Sequence, residues 1–227
     1  GVRDPVFLLH RYPSPDDQEV VGLLASAFAF GRVEAFLPVL EQLLDRLGPH
    51  PARTFRRRVP PVPRGFRYRY VRPHHLRALY RGLHRTLESY GHLGTLAREA
   101  WNRTPDPLHV LQVLYDHLLP GYAAHPLLAN PYRKSTRKRW ALFLRWMVRR
   151  DPPDLGLWTW MPPRVLFVPL DTHIFQAARK QGWTKRARPD WKAVEEITAA
   201  LRALNPEDPL ALDFPLYLRE KYGTTSL

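Results

Sequence analysis

The chain has 227 residues, 35 Lys+Arg against 21 Asp+Glu, and a formal net charge of +14, which is long enough for one or two domains with a real core and basic enough to point to a polyanionic partner. The absence of Cys excludes disulfides, thiolate zinc sites, cysteine nucleophiles and cysteine-ligated iron–sulfur clusters. No run of about eighteen apolar residues is present, so no membrane span is expected, and Gly1-Val2-Arg3-Asp4-Pro5 lacks the pattern of a signal peptide.

Ser14-Pro15-Asp16-Asp17 is a strong helix start, with a cap, Pro at the first position and acids in the first turn. The helix it opens, through Val20, Leu24, Phe28 and Phe30, is apolar almost all round and therefore expected to be buried, with Gly31 ending it. A second helix is expected over about Val33 to Leu47, closed by Gly48, with Pro38 near its first turn or bending it. Residues 51 to 72 read as an irregular basic segment, because prolines at 51, 60, 61 and 63 forbid a long helix. From Arg53 to Arg85 there are eleven arginines and no acid, a run that fits either a solvated face or, with Phe66, Tyr68 and Tyr70 interleaved, a nucleic-acid surface. Pro73 starts a helix with Leu76, Leu79, Tyr80, Leu83 and Leu87 on one side, ending near Gly91. Shorter helices follow at about His92–Trp101 and Pro107–Leu119. Only Val165–Val168 looks strand-like, and it is too short to found a sheet, so the fold class is all-α.

Residues 131–150 hold eight basic side chains and no acid. A helix is expected to begin at Ser135 or Thr136, and its first turn would then be cationic, against the dipole preference for acids there. A helix start carrying Arg137, Lys138 and Arg139 is suited to phosphate. Lys138, among positive neighbours and beside apolar Trp140 and Ala141, is either a nucleophile or a solvated lysine in a basic face. The following loop spends Trp158 and Trp160, which fit either a stacking surface or a core plug; Trp160 reads as the plug and Trp158 stays open. Val168-Pro169-Leu170-Asp171-Thr172-His173 then runs apolar and extended into a helix start, with Pro169 keeping Val168 out of helical geometry. Asp171 is in position for an N-cap, and a helix N-terminus stabilises a carboxylate placed there by about 0.3–1 kcal/mol. Near the C-terminus, Asn205-Pro206-Glu207-Asp208-Pro209 is expected to start a helix that puts Asp213 and Tyr217 on one face, with Pro215 kinking it.

Lys138 and Asp171 stand thirty-three positions apart. A basic lysine helix, a loop, an apolar extended piece ending in Pro-x-Asp-x-His, and then a helix resemble the helix-hairpin-helix DNA glycosylase superfamily. The likeness is greatest to an uncharacterised bacterial branch and to the archaeal 8-oxoguanine glycosylases, and it is specific in 134–182 and near 205–217. The resemblance implies a single two-lobed helical domain over 1–227, with lobes of about 50–165 and 1–49 plus 166–227, and a cleft between them. It implies excision of an oxidised purine such as 8-oxoguanine from double-stranded DNA, with attack by Lys138 on C1′ and assistance from Asp171, and strand cleavage as a further step. Asp213 would read the purine edge, since a carboxylate only accepts hydrogen bonds, although an arginine is an equally good partner for it. Tyr217, Phe143 and Trp158 would line the base pocket, with Phe143 otherwise in the core. Arg133, Lys134, Arg137, Arg139 and His173 would contact DNA, with His173 otherwise a packed or capping side chain. Neither a metal nor a cofactor is expected, and the protein would act as a monomer in the cytoplasm, at the nucleoid. The departure from the superfamily is the hairpin: Asn130-Pro131-Tyr132-Arg133-Lys134-Ser135 has no Gly-x-Gly turn to hold a phosphate, so Arg and Lys would take over from backbone amides. A DNA- or RNA-binding protein without bond cleavage, and a glycosylase that uses water in place of Lys138, are the alternatives. Of the cations only six are lysines, and arginine suits bidentate phosphate contacts. The 24 prolines and two methionines lean towards a thermophile, and a GC-rich genome explains Arg and Pro equally well.

Overall fold

The computed structural model describes residues 4–212. Among them there is no strand, one isolated antiparallel bridge between Tyr68 and Val71, and ten α-helices: α1 (Val6–Leu9), α2 (Pro15–Phe28), α3 (Val33–Leu47), α4 (Pro51–Arg57), α5 (Pro73–Tyr90), α6 (Leu93–Arg103), α7 (Pro107–Leu118), α8 (Lys138–Val148), α9 (Thr172–Lys180) and α10 (Trp191–Leu204). The all-α class is as expected. One contiguous cluster of buried side chains runs from Val6 to Leu210 and draws on both stretches expected as lobes.

The packing is organised around α2, which touches α1, α3, α4, α6 and α8. Its acids do more than face the helix dipole. Asp17, buried, accepts from the Ala52 amide at 2.8 Å and so caps the start of α4. Glu19, also buried, accepts from the Gly94 amide at 3.0 Å in the first turn of α6 and from the Trp158 indole at 2.8 Å. Burial pushes the Glu19 carboxyl above its usual range, and these two donors pull it back. Asp16 binds Arg56, whose guanidinium also holds the Gly91 carbonyl at 2.8 Å, and it accepts from His92 at 2.7 Å. Helices α4 and α6 are thus pinned to one buried helix by its own carboxylates, and Arg56 passes the tie on to the end of α5.

Several boundaries differ from the sequence reading. The 51–72 segment is not wholly irregular: Pro51 at a first helical position, with the Asp17 cap, gives the short helix α4. Val165–Val168 is not a strand. A 3-10 turn covers Pro163–Val165, and the chain then runs extended and buried to Leu170. Helix α8 begins at Lys138 rather than at Ser135 or Thr136. Pro209–Leu212 forms a 3-10 turn, and the expected helix bearing Asp213 and Tyr217 lies outside the described residues. Gly82 marks the crossing of α5 and α7, where a Cβ would fall on the Leu118 backbone, with its Cα at 2.7 Å.

The far end of α8 is fixed by an arginine clamp. Arg149, 5% exposed, donates through Nε to both Asp208 oxygens (3.1 and 2.8 Å), through Nη1 to Asp154 (2.7 Å) and through Nη2 to Asp151 (3.1 Å). Arg145 donates to the same Asp154 oxygen at 3.1 Å. The clamp ties α8 to the tryptophan loop and to the segment after α10.

Candidate functional site

The start of α8 is set by Arg137, which adopts a left-handed backbone (φ 51°, ψ 28°). That conformation costs a side-chain-bearing residue about 1–3 kcal/mol and persists only where its surroundings over-determine it. They do so here. The Arg137 guanidinium folds back to donate twice to the Pro131 carbonyl (3.0 and 2.7 Å) and lies 4.0 Å over the Trp191 ring. The glycine-free connection over 130–137 is therefore closed by an inward arginine, helped by Asn130, whose side chain accepts from the Tyr132 amide at 2.9 Å. Arg139 turns inward as well. It donates to the Pro126 carbonyl at 2.5 Å and the Ala27 carbonyl at 3.3 Å, with its guanidinium 5.1 Å over Phe30. Burial lowers the pKa of both, yet arginine keeps its proton in proteins. The expectation that Arg137 and Arg139 face DNA is therefore corrected: both are spent on backbone carbonyls and aromatic faces. Arg133 and Lys134 are exposed.

Lys138, between these two arginines, is half-buried and makes no hydrogen bond or ion pair among the described residues. No side chain caps the helix start at Arg137. An unpaired ammonium and the first amides of an uncapped helix therefore occupy one place, which suits an anion.

Asp171 is the N-cap of α9, with extended backbone and Oδ1 accepting from the Ile174 amide at 2.8 Å. Its other oxygen has no partner among the described residues, and the side chain is half-buried. The buried stretch leading to it lies along α10, where the Val168 amide donates to the Thr198 hydroxyl at 3.1 Å. Phe167 in that stretch meets Trp191 edge-on at 5.1 Å. One indole thus touches both segments, Arg137 beside Lys138 on one side and Phe167 on the other. Lys138 and Asp171 do not form an ion pair; Arg137, next to Lys138, and Phe167, four residues before Asp171, both contact Trp191. His173 lies half-buried in the first turn of α9.

The aromatic candidates are corrected. Phe143 is fully buried, and Trp158 is 1% exposed, with its indole on Glu19 and its ring edge-on to Phe143 at 5.3 Å. Both are core, with no face left for a base. Trp160, half-buried, stacks on Trp158 at 5.4 Å as the expected plug. Asp213 and Tyr217 lie outside the described residues.

The sequence reading missed Trp191. Besides its contacts to Arg137 and Phe167, it lines an open groove of about 520 Å³ with Leu108, Arg164, Glu195 and Arg202, and its indole donates to Glu195 at 2.8 Å. The local signal was present, since Asp190 caps α10 through the Ala193 amide at 2.9 Å; the contacts to Arg137 and Phe167 are long-range. A further feature ties α5 to the α8 start. Buried His125 contacts the His75 carbonyl through Nε2 at 3.1 Å and accepts from the Leu127 amide at 3.3 Å, next to Pro126, which holds Arg139. Among the described residues no group of three or more His, Asp or Glu side chains is placed to hold a metal ion, and no helix is long and apolar enough to cross a membrane.

Fold and site together define an all-helical, strongly basic protein with an uncapped lysine helix start and a separate N-capping carboxylate, in segments that both contact Trp191 through other residues. The chain belongs to the family of proteins of unknown function DUF2400, whose model matches residues 4–220. Among curated proteins and solved structures, none matches the chain.

Proposed function

We propose that the protein is a DNA base-excision glycosylase with associated lyase activity, acting on an oxidised purine such as 8-oxoguanine. The observation that carries this reading is Lys138 itself: a half-buried ammonium without a partner, at an uncapped helix start, in a segment joined through Trp191 to the one that ends in Asp171. In this reading the connection at 130–135 and α8 form the hairpin-like element, and the site opens between two lobes. The neutral Lys138 amine attacks C1′, and the glycosidic electron pair leaves with the base, which takes up a proton. The free Asp171 oxygen offsets the positive charge that develops on the sugar. Loss of a proton from the new C–N linkage and opening of the sugar ring give a Schiff base. β-Elimination then breaks the 3′ C–O bond, and water releases the lysine. Extruding the base costs a few kcal/mol, least for a damaged one. Asp213 and Tyr217 remain the proposed readers of the base edge.

Duplexes carrying single lesions, incubated with the protein and trapped with borohydride, test the reading. A covalent adduct that disappears in Lys138→Gln supports it; no adduct and no base release from any lesion removes it. Base release that survives Lys138→Gln selects water as the nucleophile. The burial of Phe143 and Trp158 favours a second reading, a nucleic-acid binder without cleavage. Salt-dependent binding, unchanged in Lys138→Gln and with no product, identifies that case.

A further inference from the structure

The arginine run between Arg53 and Arg85 is not used by the site above. On α5 the buried side is Leu76, Leu79, Tyr80, Leu83 and Leu87. The outward side carries Arg77, Arg81 and Arg85, all exposed and each one turn from the next. The stripe covers about 12 Å along the helix axis at 1.5 Å per residue. Like charges one turn apart repel, and an ordinary solvated helix face intersperses acids among them. Here no acid appears until Glu88, which approaches His84 at 3.8 Å and marks the end of the stripe. Arg85 donates to the His117 carbonyl at 2.8 Å, a neutral partner that leaves its charge unbalanced.

The other end is defined too. Before α5 the chain makes a tight turn in which the Val71 amide donates to the Tyr68 carbonyl at 2.8 Å. Arg69 sits at the tip with φ 49°, and Tyr70 beside it is 54% exposed. Tyr70 stacks on Phe30 at 5.2 Å, and Phe30 in turn lies under Arg139 in the first turn of α8. An exposed aromatic face and a left-handed arginine thus connect the stripe to the helix that begins with Lys138.

We infer that the outward face of α5, entered at the Arg69–Tyr70 turn, is a track for the phosphate backbone of a nucleic acid, extending the footprint of the Lys138 site. It rests on the nucleic-acid part of the proposed function and not on cleavage. Two observations favour nucleic acid over an anionic membrane. All the cations of this run are arginines, whose planar forks match phosphate oxygens, and an exposed aromatic ring accompanies them. The face also lacks the apolar side chains that would enter a bilayer, since its large hydrophobic residues are buried in the core.

The test is the salt dependence of binding, which needs no catalysis. The full-length protein is titrated against a fluorescent, undamaged duplex across a range of KCl concentrations. Removing a cation that neutralises one phosphate lowers the slope of log K against log salt by about 0.9, so Arg77→Gln/Arg81→Gln/Arg85→Gln is expected to lower it by about 3. The control Arg46→Gln/Arg98→Gln/Arg103→Gln removes equal charge from exposed positions elsewhere and is expected to shift the slope by under about 1. Melting temperatures of both variants are measured alongside and are expected to match the parent. Equal slopes for the two triple variants overturn the track. So does a loss of binding to phosphatidylglycerol vesicles as large as the loss of binding to duplex. A lowered slope without base release from any lesion leaves the track standing and removes only the glycosylase.

Discussion

Replacing Arg149 with Met removes the guanidinium that three carboxylates share while keeping most of its volume. Their weights differ. The Asp151 side chain is 74% exposed, so its pair at 3.1 Å contributes little, as surface ion pairs do. Asp154, 1% exposed, and Asp208, 20% exposed, are the acids left behind. Removing one partner of a buried pair costs about 3–5 kcal/mol, because the remaining charge stays out of water. Arg145 still reaches Asp154 at 3.1 Å, which puts the expected loss at the low end, about 3 kcal/mol. For a chain of this size each kcal/mol moves the melting point by about 2–4 °C, so a drop of about 6–12 °C is expected. Far-ultraviolet circular dichroism against temperature reads it, with urea melts giving the free energy. Adding Asp154→Asn to the Met variant removes one stranded charge and is expected to restore part of the loss. Arg149→Lys, with one compact ammonium for three carboxylates, falls between parent and Met variant. A loss under about 1 kcal/mol for Arg149→Met, or no recovery on adding Asp154→Asn, refutes the clamp as the anchor of α8.

Burial pulls the His125 pKa down from 6.5 to about 4, helped by the positive charge of His75, Arg139 and His74 nearby and opposed by the hydrogen bond to the His75 carbonyl, so the folded protein prefers it neutral. Above pH 6.5 both states hold it neutral and it adds no pH dependence; below, the unfolded chain takes up the proton first and stability falls until about pH 4. The expected loss between pH 7 and pH 5 is about 2 kcal/mol, and His125→Gln, which keeps a donor for the His75 carbonyl but cannot protonate, flattens it in urea melts at the two pH values. An unchanged pH profile in that variant removes His125 as the source. Gly82→Ala drives a methyl into the Leu118 backbone, which cannot rotate away as a side chain would, so a loss of at least about 1–3 kcal/mol is expected by thermal melt. A neutral result means that α5 and α7 are less closely apposed at that crossing.

Most helix starts were legible because their signals are local. Pro15, Pro73 and Pro107 open helices where fixed φ and a missing amide are tolerated, and Asp171 caps α9 as its position implied. What escaped depends on contacts between residues distant in the chain. Nothing near position 137 announces a left-handed arginine, because the Pro131 carbonyl and the Trp191 ring supply the compensation. Pro51 is a local start signal for α4, but the prolines that follow at 60, 61 and 63 masked it, and its cap, Asp17, lies on another helix. Phe143 and Trp158 were ambiguous between pocket and core for the same reason: an aromatic side chain has the same local signature in both, and only its neighbours decide.

The charge of +14 therefore has to be divided before it says anything about a partner. One set of arginines points inward: Arg56 on Asp16 and Gly91, Arg137 on Pro131, Arg139 on Pro126 and Ala27, Arg149 on three acids. These are structural, since each meets carbonyls or carboxylates that burial would otherwise leave short of donors. Arginine suits the task because its fork serves several acceptors at once and stacks on rings. The second set, on α5 and its leading turn, is exposed and unbalanced by acids. Lys138 belongs to neither: its two neighbours in sequence are both committed inward, which leaves a single ammonium unpaired at the helix start between them. A phosphate or sugar arriving along the exposed arginines would meet that ammonium as the first unpaired cation of α8. The division also separates the expected phenotypes. Changes in the inward set are expected to move melting temperature, changes in the α5 set the salt slope, and, on the proposed reading, Lys138→Gln the formation of a covalent adduct with duplex.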